Sequence, residues 1–238
     1  MRQLEIGHIT VEIVKKDIKN IHLAVYPPHG RVRLAVPENV NDETLRLFTI
    51  SKLPWIKKQQ RRFAGQERQP KRKYIQRESH YFFGKRYLLR IIEEDTPAKV
   101  ILRNKTYIDL HVKPSSNKEQ RQHLMNEWYR AELKKLIPEI IAKWEKKIGV
   151  QAEDWGVKQM KTKWGTCNIQ KKKILVNLEL AKKPVHCLEY IIVHELVHLL
   201  ERLHNERFLE YMEKFMPRWK YHRDELNKLP VSHIDWEY

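Results

Sequence analysis

YIIVHELVHLLERLHNERF, residues 190–208, sets His194, Glu195 and His198 in an HExxH spacing and places a further histidine, His204, six residues on. Pro184 suits the first turn of a helix, where backbone N–H groups lack intrahelical acceptors, and the apolar run from Val185 to about Leu200 supplies its body. At ~100° per residue, with His194 at zero, His198 falls at ~40° and Glu195 at ~100°. Val185, Leu188, Ile192, Leu196 and Leu199 lie between ~120° and ~200° on the same wheel. The spacing therefore predicts a helix that buries one stripe and holds two histidines off it, one turn apart.

Two imidazoles one turn apart can reach a single Zn²⁺ at ~2.0–2.1 Å, and the glutamate between them can reach a zinc-activated water. Zinc lowers the pKa of such a water toward ~7, so Glu195 would serve as general base and then as general acid to the leaving group. The competing reading is a helix face that happens to carry histidines beside a surface carboxylate. The strand-rich segment before the helix, the amphipathic phase and the downstream histidine favour the metal.

The third metal ligand is less determined. An unbroken helix would carry His204 ~240° round from His198, so the chain must turn between about Leu200 and His204. The last glycine of the chain is Gly165, which leaves Arg202 or Asn205 to take an unusual dihedral, Asn at the lower cost. Glu210 on a following helix and Glu201, at ~340° on the same wheel, are rival donors. His186, His222 and His233 read first as structural or solvent-facing.

The chain has 238 residues, of which 41% are apolar, 10% aromatic and 32% charged, a globular composition with a highly solvated surface. Its mean hydropathy of -0.69 agrees. No apolar run approaches the ~18 residues that span a bilayer, and the N-terminus lacks the apolar core of a signal peptide, so no membrane partner and a cytoplasmic address are expected. Cys167 and Cys187 are too few for a disulfide scaffold and read as reduced, small, buried residues. The net charge of +17 is concentrated: residues 57–90 hold twelve Lys or Arg against Glu67 and Glu78. Lys71, Arg72 and Lys73 are the candidate contacts to a nucleic acid or other polyanion, although a solvated cationic surface would look the same.

The pattern predicts an α+β protein. Alternation on both sides of Pro27-Pro28-His29-Gly30 predicts a hairpin with arms Ile21–Tyr26 and Val32–Val36. A helix capped by Asn41 follows, which Pro54 should kink or end. Residues 65–79 read as a linker or loop, and strand-like alternation resumes on both sides of Gly84. The polar segment PSSNKEQ, residues 114–120, suggests a division near residue 115, giving a β-rich N-terminal domain (1–115) and a second domain (116–238). A long helix from Lys118 to Lys147, kinked at Pro138, then leads into strands, where Ile174, Val176, Leu178 and Leu180 share one face. The strand Lys173 to Leu180 is the candidate edge against which an extended peptide would pair.

These residues resemble the YgjP-like metallopeptidases, zincins related to the SprT-like zinc proteases. The group's pattern HELxHxxxxxHxxxF is matched by His194, Glu195, Leu196, His198, His204 and Phe208, and its WGSC-type turn is matched by Lys163-Trp164-Gly165-Thr166-Cys167, with Thr166 where Ser is commoner. The segments IHLAVYPPHGRVRLAVP, LPWIKKQQRRF and FFGKRY fall in the family's order, so the resemblance spans nearly the whole chain. It implies a β-rich N-terminal portion followed by a zincin-like metallopeptidase domain, one Zn²⁺ held by His194, His198 and His204, Glu195 as the catalytic base, and a peptide or protein substrate.

Trp164 is either a packing residue or part of the cleft wall, and Tyr190, Lys163 and His222 are candidates to polarise a scissile carbonyl. The leading expectation is a zinc metallopeptidase. The alternatives are a metal-dependent nucleotide pyrophosphatase or phosphate-ester hydrolase, a label some members carry, and a DNA-associated protease or nucleic-acid-binding module that uses the basic segment. No Walker-type loop or recognisable DNA-binding motif supports either alternative.

Overall fold

The computed structural model describes residues 2–26, 29–64, 72–160 and 163–228. The chain is an α+β protein that divides into two compact units between residues 67 and 68. Among the described residues, no helix is long and apolar enough to cross a membrane.

The first unit contains β1 (Arg2–Ile6), β2 (Ile9–Lys16), β3 (His22–Tyr26), β4 (Arg31–Pro37) and α1 (Asp42–Ala64). Its sheet runs β1-β2-β4-β3, and the expected hairpin pairs β3 with β4 from His22 opposite Ala35 to Tyr26 opposite Arg31. Val11, Ile13, Val32, Leu34 and Val36 build its core, completed by Leu45 and Ile56 of α1. Asn41 caps α1, its Oδ1 accepting the Thr44 N–H at 2.8 Å. Pro54 lies inside α1 and does not end it. An interior proline costs ~3 kcal/mol, but continuing the helix buries Ile56 completely, worth about 1.5–3 kcal/mol. It also lets Gln60 Nε2 donate to the Gly30 carbonyl at 3.0 Å.

The second unit opens with β5 (Ser79–Phe82), β6 (Lys85–Glu93), β7 (Lys99–Leu102) and β8 (Tyr107–Val112), ordered β5-β6-β8-β7. Then come α2 (Lys118–Ile148), β9 (Asp154–Lys158), β10 (Gly165–Asn168), β11 (Lys173–Asn177), a 3₁₀ turn at Leu178–Lys182, and the helices α3 (Val185–Val197), α4 (Glu206–Phe215) and α5 (Trp219–Lys228). The division expected near residue 115 falls inside this unit. Phe82, Leu89, Ile108 and Leu110 share one core with Tyr129, Leu133, Ile192 and Leu196, because the apolar face of β5–β8 is covered by the helices that come after it in the chain. The polar residues at 114–120 are helix-start chemistry: Asn117 and Gln120 form a reciprocal capping box on α2. The helix then runs through Pro138 to Gly149, whose φ of 81° closes it.

The basic stretch 57–90 is cut by the division, so its cations belong partly to α1 and partly to the second unit. Lys71 lies outside the described residues, Arg72 is half-buried, and Lys73 is exposed.

Two features of the second unit fix the surroundings of α3. The turn between β5 and β6 has positive φ at both Phe83 (43°) and Gly84 (80°), as a two-residue type I′ hairpin requires. Phe83 N–H donates to the Ala181 carbonyl at 2.8 Å, and a Cβ on Gly84 would stand 2.7 Å from Pro184 Cγ, so this tip is seated against the entrance of α3. The second feature is the sheet order β10-β11-β9, which makes β11 central and leaves β10 and β9 as the two edges. The segment Lys173 to Leu180 is therefore not an edge strand: it pairs on both sides, and its last residues wind into the 3₁₀ turn.

Candidate active site

Leu188, Ile192 and Leu196 are fully buried and fix the rotation of α3, but the buried face is not the single stripe that the periodicity predicts: Val185 is exposed, and Ile191, Val193 and Val197 are buried as well. The helix ends at Val197, and the chain turns before His204 without a left-handed residue: no position from 198 to 205 has positive φ. The turn is made instead by tightening. Leu199 N–H donates to the Leu196 carbonyl at 3.0 Å and Leu200 N–H to the Val197 carbonyl at 2.9 Å, both three residues back. Side chains then hold the path. Glu201 Oε1 accepts the Leu203 N–H at 3.1 Å, and Asn205 Oδ1 accepts the Phe208 N–H at 3.0 Å, capping α4.

This path brings His204 to the pair on α3. Nε2 of His204 lies 2.9 Å from Nε2 of His194, and the three imidazoles offer ligand atoms within 4.8 Å of one another. Neither Glu201 nor Glu210 belongs to the group. His198 Nδ1 is 3.1 Å from the Glu201 carbonyl, which can only accept, so Nδ1 carries the proton and Nε2 keeps its lone pair. Burial pushes the pKa of all three imidazoles down, that of His194 to about 3 with help from its two neighbours. Neutral imidazoles are the metal-ligating form, and three of them fit a divalent transition-metal ion.

Glu195 is 5% exposed, and burial pushes its carboxyl up to about 8 against the opposing pull of Lys163. The KWGTC turn lies over it. A Cβ on Gly165 would stand 2.6 Å from Glu195 Oε1, so β10 passes so close to the carboxylate that only glycine fits. Buried Asn177 holds the approach to β10: its Nδ2 donates to the Met160 and Lys163 carbonyls at 2.8 and 2.7 Å, and its N–H to the Trp164 carbonyl at 2.9 Å.

The histidines and Glu195 face a cleft of about 1340 Å³ lined also by Lys163, Trp164, all of β10, Tyr190 and the α5 residues Arg223, Leu226 and Asn227. Tyr190 stands with its ring 6.0 Å from that of His194, and burial pushes its phenol up to about 12. Trp164 has the Lys183 ammonium 5.7 Å from its ring centre, so it both packs and lines the wall. His222 is not among the residues that line the cleft; its ring lies 5.2 Å from that of His186, and the adjacent Arg223 reaches the cleft instead.

The model of the YgjP-like metallopeptidase domain matches residues 19–229. This chain belongs to the YgjP-like family. The YgjP-like match covers both units and makes the chain a metallopeptidase, with a metal ion and a peptide or protein substrate implied. A comparison with the curated proteins finds no match. Among solved structures, the crystal structure of the metallopeptidase zymogen of Pyrococcus abyssi abylysin is similar at 20% identity with a TM-score of 0.37, over 42% of this chain and 100% of that one.

In this YgjP-like site, Phe208 does more than complete a motif. It is fully buried, and its ring centre lies 4.9, 4.7 and 4.7 Å from those of His194, His198 and His204, backing all three. Its spacing four residues after His204 is the signal the sequence carries for this role. Arg223 and Cys167 also line the cleft without any local pattern that marks them. Both cysteines are free thiols, pushed up by burial to about 11 for Cys167 and about 12 for Cys187.

Proposed function

We propose that this chain is a zinc-dependent peptidase in which His194, His198 and His204 hold the ion and Glu195 moves the proton. The observation that carries this reading is the convergence of three neutral imidazoles beside one buried carboxyl in an open cleft. When bound, a zinc ion supplies Lewis acidity and brings the pKa of water toward ~7. Glu195, whose ionisation burial alone opposes, would be held ionised beside such an ion. Glu195 then takes the proton of the attacking water and returns it to the leaving nitrogen. Tyr190, whose phenol stays protonated, and Lys163 donate toward the carbonyl oxygen as charge develops there.

The edge strand β10 is the element on which an extended peptide would add as a further strand, its main chain bonding to the side of Gly165–Asn168 that pairs with no strand among the described residues. That placement brings the peptide past Gly165 and therefore past Glu195.

The deciding experiment is Glu195→Gln, assayed for metal content and for cleavage of a peptide library. Metal retained with turnover reduced by at least ~10³-fold is the expected result, in line with loss of a general base. Full turnover in the metal-replete variant would sink the mechanism. Five cationic side chains among the cleft-lining residues, Lys163, Lys171, Lys173, Arg202 and Arg223, favour a phosphate-ester or nucleotide pyrophosphatase as the second reading. Glu195-dependent phosphate or pyrophosphate release from nucleoside triphosphates, without peptide cleavage, would select it.

A further inference from the structure

A second cluster of ligand-type side chains lies at the other end of α3. His186, in the first turn, meets His222 and Glu225, which stand three residues apart on α5 and share one of its faces. The three offer ligand atoms within 4.8 Å of one another. His186 Nε2 is 2.6 Å from Glu225 Oε2, and the two imidazole rings are 5.2 Å apart. A His186–Glu225 ion pair would explain that contact but not His222. Its Nδ1 is buried and, among the described residues, has no hydrogen-bond partner. Burying a ring nitrogen with nothing to bond is unfavourable, so an acceptor or ligand is called for.

The neighbouring carboxylate does not supply it, since His222 Nδ1 has no partner among the described residues. Glu189 Oε1 already accepts from Lys143 Nζ and Trp144 Nε1, both at 2.7 Å. An ion reaching the cluster would find two imidazoles and one carboxylate, a donor set that suits Zn²⁺ and its divalent neighbours rather than Mg²⁺ or Ca²⁺, which take oxygen. The side chains of His186 and Glu225 are 40% and 27% exposed, so the ion has a route in and water can complete its shell. Eight residues of helix separate His186 from His194, about 12 Å along the axis. The two sites therefore share no ligand.

We propose that His186, His222 and Glu225 form a second, structural site for a divalent transition-metal ion that clips α5 to α3. The consequence lies beside the cluster on α5 itself, where Arg223, Leu226 and Asn227 line the cleft. An ion between the helices fixes that wall without taking part in the reaction.

The test is a metal count on the full chain, stripped with chelator, dialysed against micromolar Zn²⁺ and analysed by plasma mass spectrometry. Wild type should bind two equivalents, and His222→Ala and Glu225→Gln one each. The double variant His194→Ala/His198→Ala should also keep one, which separates this site from the one beside Glu195. Zinc should raise the thermal midpoint of that double variant, and the rise should vanish when Glu225→Gln is added. One equivalent in wild type overturns the proposal, as does a second equivalent that persists in folded His222→Ala or Glu225→Gln. If His222→Ala does not fold, Glu225→Gln, which keeps the shape of the side chain, decides.

Discussion

Gly165 and Glu195 are fitted to each other: a β-carbon on residue 165 would lie 2.6 Å from Glu195 Oε1 and 2.9 Å from its Cγ. Ile191 closes the remaining side, with Cγ2 at 2.8 Å. Gly165→Ala must therefore displace the carboxylate or the edge strand. Because a shift of about 1 Å can cost ~10²-fold in rate, kcat for peptide cleavage should fall by about that factor while metal content stays at the wild-type value. Steady-state kinetics beside metal analysis checks this, and an unchanged kcat would show that Glu195 tolerates the shift.

Asn205 links the turn to the third histidine. Its side chain caps α4 one residue after His204, so Asn205→Ala should cost ~1 kcal/mol of stability. It should also weaken zinc binding at the His204 site, because that residue loses the anchor beside it. Competition with a chromogenic chelator measures the affinity; equal affinity in both proteins would detach His204 from the ion.

Glu78 and His80 set an acid limit on the second unit. Burial raises the Glu78 carboxyl, but the hydrogen bond with His80 at 3.0 Å and those from the N–H groups of Lys73 and Tyr74 outweigh it and bring it down to about 2. Burial holds His80 below its ordinary 6.5. Both groups bind protons more readily in the unfolded chain, so unfolding takes up protons and stability falls as the pH falls. The loss should begin below 6.5 and continue through 4.5 toward 2. Denaturant melts between pH 7 and pH 3 should show it, and Glu78→Gln should flatten the portion below pH 4.5. A variant as acid-sensitive as wild type would place the limit elsewhere.

The cleft should favour acidic peptides. Its lining carries five cations against the single carboxylate of Glu195, although Lys173 is paired with Asp154 at 2.6 Å and Arg223 with Asp224 at 2.9 Å. In matched peptides, Asp or Glu flanking the scissile bond should raise kcat/KM over Lys or Arg, and added salt should narrow the gap. A preference for basic peptides would contradict this charge distribution.

The features legible in the sequence are local. The phase of His194, Glu195 and His198, the cap at Asn41 and the hairpin before Arg31 all depend on residues within one or two turns, and the structure has them as the spacing predicts. Long-range relations stay out of reach. Thirty residues separate Gly165 from Glu195, and nothing near either reports their contact. The division between the units falls at 67/68 rather than near 115 for the same reason, since core membership of Leu89 or Ile108 is decided by helices that come later in the chain. The turn after His198 lies where the helical wheel requires it but is made by other means: 3₁₀ tightening suffices where a left-handed residue is expected.

That turn also bears on conformational entropy. A glycine hinge would leave the unfolded chain more freedom to lose, by ~0.4–1 kcal/mol at each such position. Residues 198–205 contain no glycine, and all of them keep negative φ in the fold. The segment that carries His204 thus gives up less disorder when it closes on His194 and His198, and the three rings converge at a smaller entropic cost than a flexible hinge would impose.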